Sequence, residues 1–212
     1  MNIRQYLVVP GLAFAVAFSI LAPCMAASSQ PEPVQTIVFM RHGEKPAAGL
    51  GQLSCQGLNR ALALPPVLAR LFGRPDRLFA PDPAKRKEDE GTEYDYIRPL
   101  ATIEPTAIAA GLPVDTSVGF DDLDGLKKAL APPPGHPELV FVAWEHKQIV
   151  KLLKSLIKAG GGDKDQVPKW KGEEFDSLYI LRRPVSGSGR VTFERLEEGL
   201  DGQPQTCPGQ QG

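Results

Sequence analysis

The stretch Thr36-Ile-Val-Phe-Met-Arg-His-Gly-Glu-Lys45 decides how the rest of the chain is read. Ile37 to Met40 is an unbroken run of β-branched, aromatic and other apolar side chains, the pattern of a buried strand. The run stops at Arg41-His42-Gly43, where the side chains turn polar and a glycine frees the backbone. Open α/β sheets hold their ligands outside the carboxyl ends of the strands. A cation and an imidazole at such an end are placed to hold and attack an anion. They are equally consistent with a strand that simply ends in polar residues, so the later strands decide between the two.

The chain has 212 residues, 42% of them hydrophobic, and a formal net charge of -1. That suits one domain with a proper core and gives no bulk positive charge for nucleic acid. Residues 1–27 differ from the remainder. Arg4 is the one charge there, and the apolar stretch from Leu7 to Leu21 runs into Ala22-Pro-Cys-Met-Ala-Ala27. This order describes a secretory signal peptide cleaved after Ala26 or Ala27 better than a membrane-spanning helix. The expected location is periplasmic or secreted, with no membrane span after cleavage. Lipidation at Cys24 is the alternative, disfavoured by Pro23 where a small residue is usual. An oxidising compartment makes Cys55 and Cys207 a candidate disulfide, tying the tail to the first helix; two free thiols are the alternative. The absence of CxxC spacing and of paired histidine ligands argues against a metal site.

After a polar leader from Ser28 to Pro33, the first strand and a loop from Pro46 to Gln52, Ser54 caps a helical pattern. Pro65-Pro66 is expected to interrupt that helix, which restarts through Phe72. Arg77 to Ala80 reads as a second strand. Pro81 to Tyr96, with its run Lys85-Arg-Lys-Glu-Asp-Glu90, reads as a solvated excursion, its alternative being a role over the site. Ile97 to Ala110 has helical composition, and Pro99 suits a first turn, which puts Arg98 at a helix N-terminus where anions are favoured. Leu112 to Val118 is expected as a strand, Asp121 to Leu130 as a short helix, and residues 132–137 as a rigid linker.

Glu138-Leu-Val-Phe-Val-Ala-Trp-Glu-His146 repeats the logic of the first stretch, an apolar strand ending in a histidine. An amphipathic helix follows to Lys158, with lysines opposite its apolar face and Gly160-Gly-Gly162 at its end. Phe175 to Leu181 and Arg190 to Leu196 read as closing strands joined across Ser186–Gly189. The tail from Gly199 is disordered unless Cys207 pins it. Of the three histidines, His136 sits among prolines and reads as a linker residue. His42 and His146, with Arg41 and Arg98, form a set suited to a phosphoryl group. Guanidinium forks bind its oxygens, one neutral imidazole attacks phosphorus, and the other stabilises the transition state.

From Thr36 to Ile149 this pattern resembles the histidine phosphatase superfamily, which includes the phosphoglycerate mutases. The resemblance rests on Arg41-His42-Gly43 after a strand, Arg98 opening a helix and His146 after a later strand. Leu53 to Ala61 is also similar to the helix start common after that family's motif. It implies a three-layer α/β/α sandwich with a largely parallel central sheet and His42 as the phosphorylated nucleophile. Arg41, Arg98 and His146 complete the pocket, Gly43 and Glu44 border it, and no cofactor or metal is implied.

Two departures stand out. No long insertion follows Arg98, which leaves Asp121, Asp122 and Glu145 as candidates for the acid that protonates the leaving group. The aspartates equally suit helix capping, and Glu145 alternates with His146. Secondly, Trp144-Glu145 precedes His146, and Lys147 follows where relatives have glycine. The expected activity is an exported, metal-independent phosphatase acting on a phosphorylated small molecule or phosphoprotein. A catalytically weak anion-binding protein is the alternative, and a phosphoglycerate mutase ranks lower because export removes it from glycolytic substrates. The sequence leaves the substrate open and is compatible with a monomer or loose dimer.

Overall fold

The computed structural model describes Met1 and residues 32–187 and 189–210. Cys24 and, apart from Met1, the segment read as a signal peptide lie outside these, as does part of the Ser186–Gly189 turn. No helix among the described residues is long and apolar enough to cross a membrane.

Strand β1 (Val34–Arg41) leads to helix α1 (Cys55–Phe72), β2 (Arg77–Phe79), the small strands β3 (Lys87–Asp89) and β4 (Thr92–Tyr94), and helix α2 (Arg98–Ala110). Then come β5 (Val114–Asp115), α3 (Leu123–Ala129), β6 (Glu138–Trp144), α4 (His146–Ala159), a 3-10 turn at Lys164–Gln166, β7 (Ser177–Pro184) and β8 (Thr192–Glu197). The main sheet runs β5-β2-β6-β1-β7-β8. Its first four strands are mutually parallel, and β7 and β8 close it antiparallel.

Both faces of this sheet are covered, which explains why its central strands read as unbroken apolar runs. On one face Ile37, Phe39, Val140, Val142, Tyr179 and Leu181 pack with Leu126, Leu130, Ile149, Leu152, Leu153 and Ile157 of the α3 and α4 layer. On the other, Val38, Met40, Phe141, Ala143, Leu178 and Ile180 meet Leu64, Val67, Leu68, Ile103 and Ala107 of α1 and α2. The architecture is the α/β/α sandwich that the resemblance implies. The α4 pattern holds residue by residue, and Gly160 caps that helix.

Three expectations need correction. Helix α1 is continuous through Pro65 and Pro66. The prolines lie on its outward side while Leu64, Val67 and Leu68 anchor the turns around them in the core, so burial outweighs two missing N–H donors. The third strand is only Val114–Asp115, an edge pairing with Leu78 and Phe79. Residues 81–96 are not a featureless excursion but carry the β3–β4 hairpin, with Glu90 and Gly91 at positive φ in its turn. The tail, by contrast, is pinned by the candidate disulfide. Cys55 and Cys207 are disulfide-bonded with Cα atoms 4.5 Å apart. Asn59 Nδ2 donates to the carbonyls of Pro204 (2.8 Å) and Thr206 (2.9 Å).

The start of α1 is locked against the end of β1 by two glycines. A Cβ on Gly43 would stand 2.9 Å from the Gly57 carbonyl oxygen, and one on Gly57 only 2.3 Å from that of Glu44. The Glu44 carbonyl also accepts from the Ser54 N–H at 2.8 Å. Gly57→Ala is therefore expected to cost about 1–3 kcal/mol by forcing backbone apart. Gly172→Ala, where a Cβ meets nothing within 4 Å, should stay within about 0.5 kcal/mol of wild type. Urea unfolding of both variants checks this.

Candidate active site

Parallel pairing sets Arg41 level with Trp144, so the residues that follow the two strands emerge side by side. The His42 N–H donates to the Trp144 carbonyl at 3.3 Å. Glu145 then caps α4, accepting from the Gln148 N–H at 2.9 Å, and His146 begins the helix. From the other layer, the Gly43 N–H donates to Thr102 Oγ1 at 2.9 Å, and that hydroxyl donates to the Arg98 carbonyl one turn earlier in α2. Pro99 sits in the first turn of α2, as read from the sequence. Arg41, His42, Arg98 and His146 all converge, and all are buried.

Burial pushes the His42 imidazole down to about 3, with the charges of Arg41 and Arg98 next in effect and His146 adding to them against the raising influence of the Gly43 carbonyl. The ring is thus neutral at physiological pH. Its Nδ1 lies 2.8 Å from the Gly43 carbonyl oxygen, which only accepts. Nδ1 therefore carries the proton and Nε2 keeps its lone pair. Tyr96 meets this ring edge-on with centroids 6.1 Å apart, and Phe175 lies 6.3 Å away.

The two arginines are held differently. Arg41 donates through one terminal nitrogen to the carbonyls of Gly172 (2.6 Å), Glu174 (2.8 Å) and Lys171 (3.4 Å), and its guanidinium carbon stands 3.9 Å from the Phe175 ring centroid. Burial lowers its pKa to about 10, which leaves it charged. Arg98 donates to Asp89 on β3, whose other oxygen accepts from Lys45 at 2.6 Å. Burial works to raise the Asp89 carboxyl, but the hydrogen bonds from Lys45 and Arg98 outweigh it and hold it below its ordinary value. Arg41 Nε, Arg98 Nε and the Tyr96 hydroxyl are buried with no hydrogen-bond partner among the described residues.

The candidate acids fare unequally. Burial works to raise Glu145, yet His146 and the N–H groups of Gln148 and Lys147 hold it down to about 2. Its Oε1 lies 3.0 Å from His146 Nδ1, off the angle of a true hydrogen bond. Asp121 is exposed and stands 3.8 Å from Lys85, and Asp122 caps α3 by accepting from the Gly125 N–H. Glu44 is paired with the buried Arg60 (2.8 Å), which also binds Asp176 (3.0 Å), Glu198 (2.7 Å) and Asp201 (2.9 Å). The Cys55–Cys207 bond lies at the N-terminus of α1. Sequence reading missed Asp89, Tyr96 and Phe175. The Glu90-Gly91 turn is the one local hint for Asp89; Tyr96 and Phe175 carry none.

No protein-family model and no curated protein matches the chain. Among solved structures, a phosphoglycerate mutase from Plasmodium falciparum is similar at 12% identity and TM-score 0.53, covering 78% of this chain and 92% of the other. A mycobacterial glucosyl-3-phosphoglycerate phosphatase, in complex with inorganic phosphate, is similar at 16% identity and TM-score 0.52, covering 76% and 95%. The chain has the phosphoglycerate mutase-like fold. A protein assigned as the phosphohistidine phosphatase SixA, from Nakamurella multipartitia, shares it at 16% identity and TM-score 0.52, covering 78% and 98%. At these identities the likeness concerns the fold alone.

The depressed His42 predicts a pH dependence of stability. The unfolded imidazole takes up its proton near pH 6.5 and the folded one only near pH 3. Between these values the unfolded state binds more protons, so stability falls as pH falls. From pH 6.5 to 4.5 the wild type should lose roughly 2 kcal/mol more than His42→Gln. Urea unfolding at both pH values measures the difference.

Proposed function

We propose that this chain is an exported phosphatase of the histidine phosphatase type, acting through a phosphohistidine at His42. The observation that carries the reading is a buried, neutral imidazole with a free Nε2 that feels the charges of Arg41 and Arg98, while Arg41 Nε and Arg98 Nε are buried without a partner among the described residues. Those two nitrogens have hydrogen-bonding capacity that no described residue uses. A tetrahedral dianion is the ligand whose charge and oxygens such donors suit. The Cys55–Cys207 bond supports an oxidising compartment.

In this reading the Nε2 lone pair of His42 forms an N–P bond as the bond from phosphorus to the leaving oxygen breaks. Arg41 and Arg98 meet the charge on the equatorial oxygens, and His146 borders the same group. Water then displaces phosphate from the imidazole. Gly43 contributes by letting the backbone pass close to α1, and its carbonyl fixes the tautomer of His42.

A second reading, an anion-binding protein with little turnover, draws on the placement of the carboxylates. Glu145 is held ionised, and Asp121 and Asp122 are occupied elsewhere. Hydrolysis of p-nitrophenyl phosphate in EDTA separates the two. The phosphatase predicts turnover that survives chelation and drops by roughly 10³-fold or more in His42→Ala. The binding protein predicts thermal protection by phosphate with no turnover in the wild type.

A further inference from the structure

We infer that the substrate is a phosphoanhydride, whose departing group is itself a phosphate seated among Lys147, Lys169 and Lys171. The inference rests on the phosphatase reading and names the substrate class of that site.

Two independent observations lead to it. The first is a cleft of about 600 Å³ that shares His146 with the phosphoryl pocket and continues along Lys147, Val150, Lys169, Trp170, Lys171, Gly172 and Glu173. Its three lysines are exposed and make no ion pair among the described residues. The lysines between β1 and α2 are already engaged. Lys45 binds Asp89 and Glu90, Lys85 stands near Asp121, and Lys87 lies over the Tyr96 and Phe120 rings. The cleft's three lysines therefore leave unpaired positive charge beside His146. Glu173, at the rim, is the carboxylate among the cleft's lining residues. The cleft is also anchored to the pocket, because the carbonyls of Lys171 and Gly172 are the ones that fix Arg41.

The second observation is the state of the carboxylates. Asp89 is locked between Arg98 and Lys45, and Glu145 caps α4 beside His146. Neither is placed to carry a proton to a leaving oxygen, and both are held below the ordinary carboxyl range. An alcohol leaving as its alkoxide needs such a proton, whereas a phosphate leaves as a stable anion. The bond changes balance without an added acid. His42 Nε2 forms its bond to the terminal phosphorus, and the bond from that phosphorus to the bridging oxygen breaks. The electron pair stays on the bridging oxygen, now part of the departing phosphate, where the lysine ammoniums meet it. Water next bonds to phosphorus, the N–P pair returns to Nε2, and the proton of the water passes to solvent.

The test measures binding of inorganic phosphate and of imidodiphosphate, a non-hydrolysable diphosphate, to the disulfide-bonded chain by calorimetry in EDTA. Wild type should bind imidodiphosphate at least about tenfold more tightly than phosphate. The ratio should collapse to within about twofold in Lys147→Ala/Lys169→Ala/Lys171→Ala and persist in Lys151→Ala/Lys158→Ala, which removes lysines elsewhere on α4. If phosphate binds and imidodiphosphate gains nothing, or the triple variant keeps the ratio, or the control loses it equally, the phosphoanhydride claim is overturned and the phosphatase reading stands. If neither anion binds the wild type, the phosphoryl pocket itself fails and takes the inference with it.

Discussion

Residues Gln35 to Arg41 of β1 lie level with Glu138 to Trp144 of β6, one against one and parallel. On that register the site depends. It makes both strands end at the same height, so His42 and His146 leave the sheet together, one into a loop and the other into the first turn of α4. A slip of one residue would turn Val38 and Met40 to the opposite layer and exchange the two cores, which burial on both faces forbids. The placement of the two histidines is therefore a by-product of core packing, reinforced where Gly43 and Gly57 let the β1 exit touch α1.

Electrostatically, the pocket is built to remain positive. One terminal nitrogen of Arg41 is held by carbonyl oxygens and its guanidinium lies against an aromatic face, contacts that lower its desolvation cost without cancelling its charge. Arg98 is paired, but its partner Asp89 is shared with Lys45. The neutral His42 follows first from its burial and then from the two guanidiniums beside it, which disfavour a further cation. The same charges that favour an anion there thus add to burial in keeping the imidazole neutral.

Much of this was legible in the sequence because the central strands are buried on both faces and show as apolar runs, and because polar residues closing such runs point to the sheet's carboxyl edge. Arg98 was readable through Pro99, and α4 through its periodicity. What escaped depends on distance along the chain. The pairing of Glu44 with Arg60 is one such feature, because Arg60 also draws Glu198 and Asp201 from near the far end of the chain. Asp89 sat in a charge run indistinguishable from a solvated face, although tertiary pairing with Arg98 buries it. Pro65-Pro66 read as a break because local propensity cannot weigh the core contacts on either side. Tyr96 and Phe175 have no local signature; they matter only through the ring and cation they flank.

The most direct test of the account is to find where a phosphoryl group becomes attached. Wild-type protein would be mixed with p-nitrophenyl phosphate, quenched in alkali within milliseconds and mapped by mass spectrometry. The structure predicts a single alkali-stable, acid-labile phosphate on His42 at Nε2, the nitrogen left free by the bond from Nδ1 to Gly43. A phosphate found on His146, or steady turnover with no phosphorylated histidine at any time point, would contradict it.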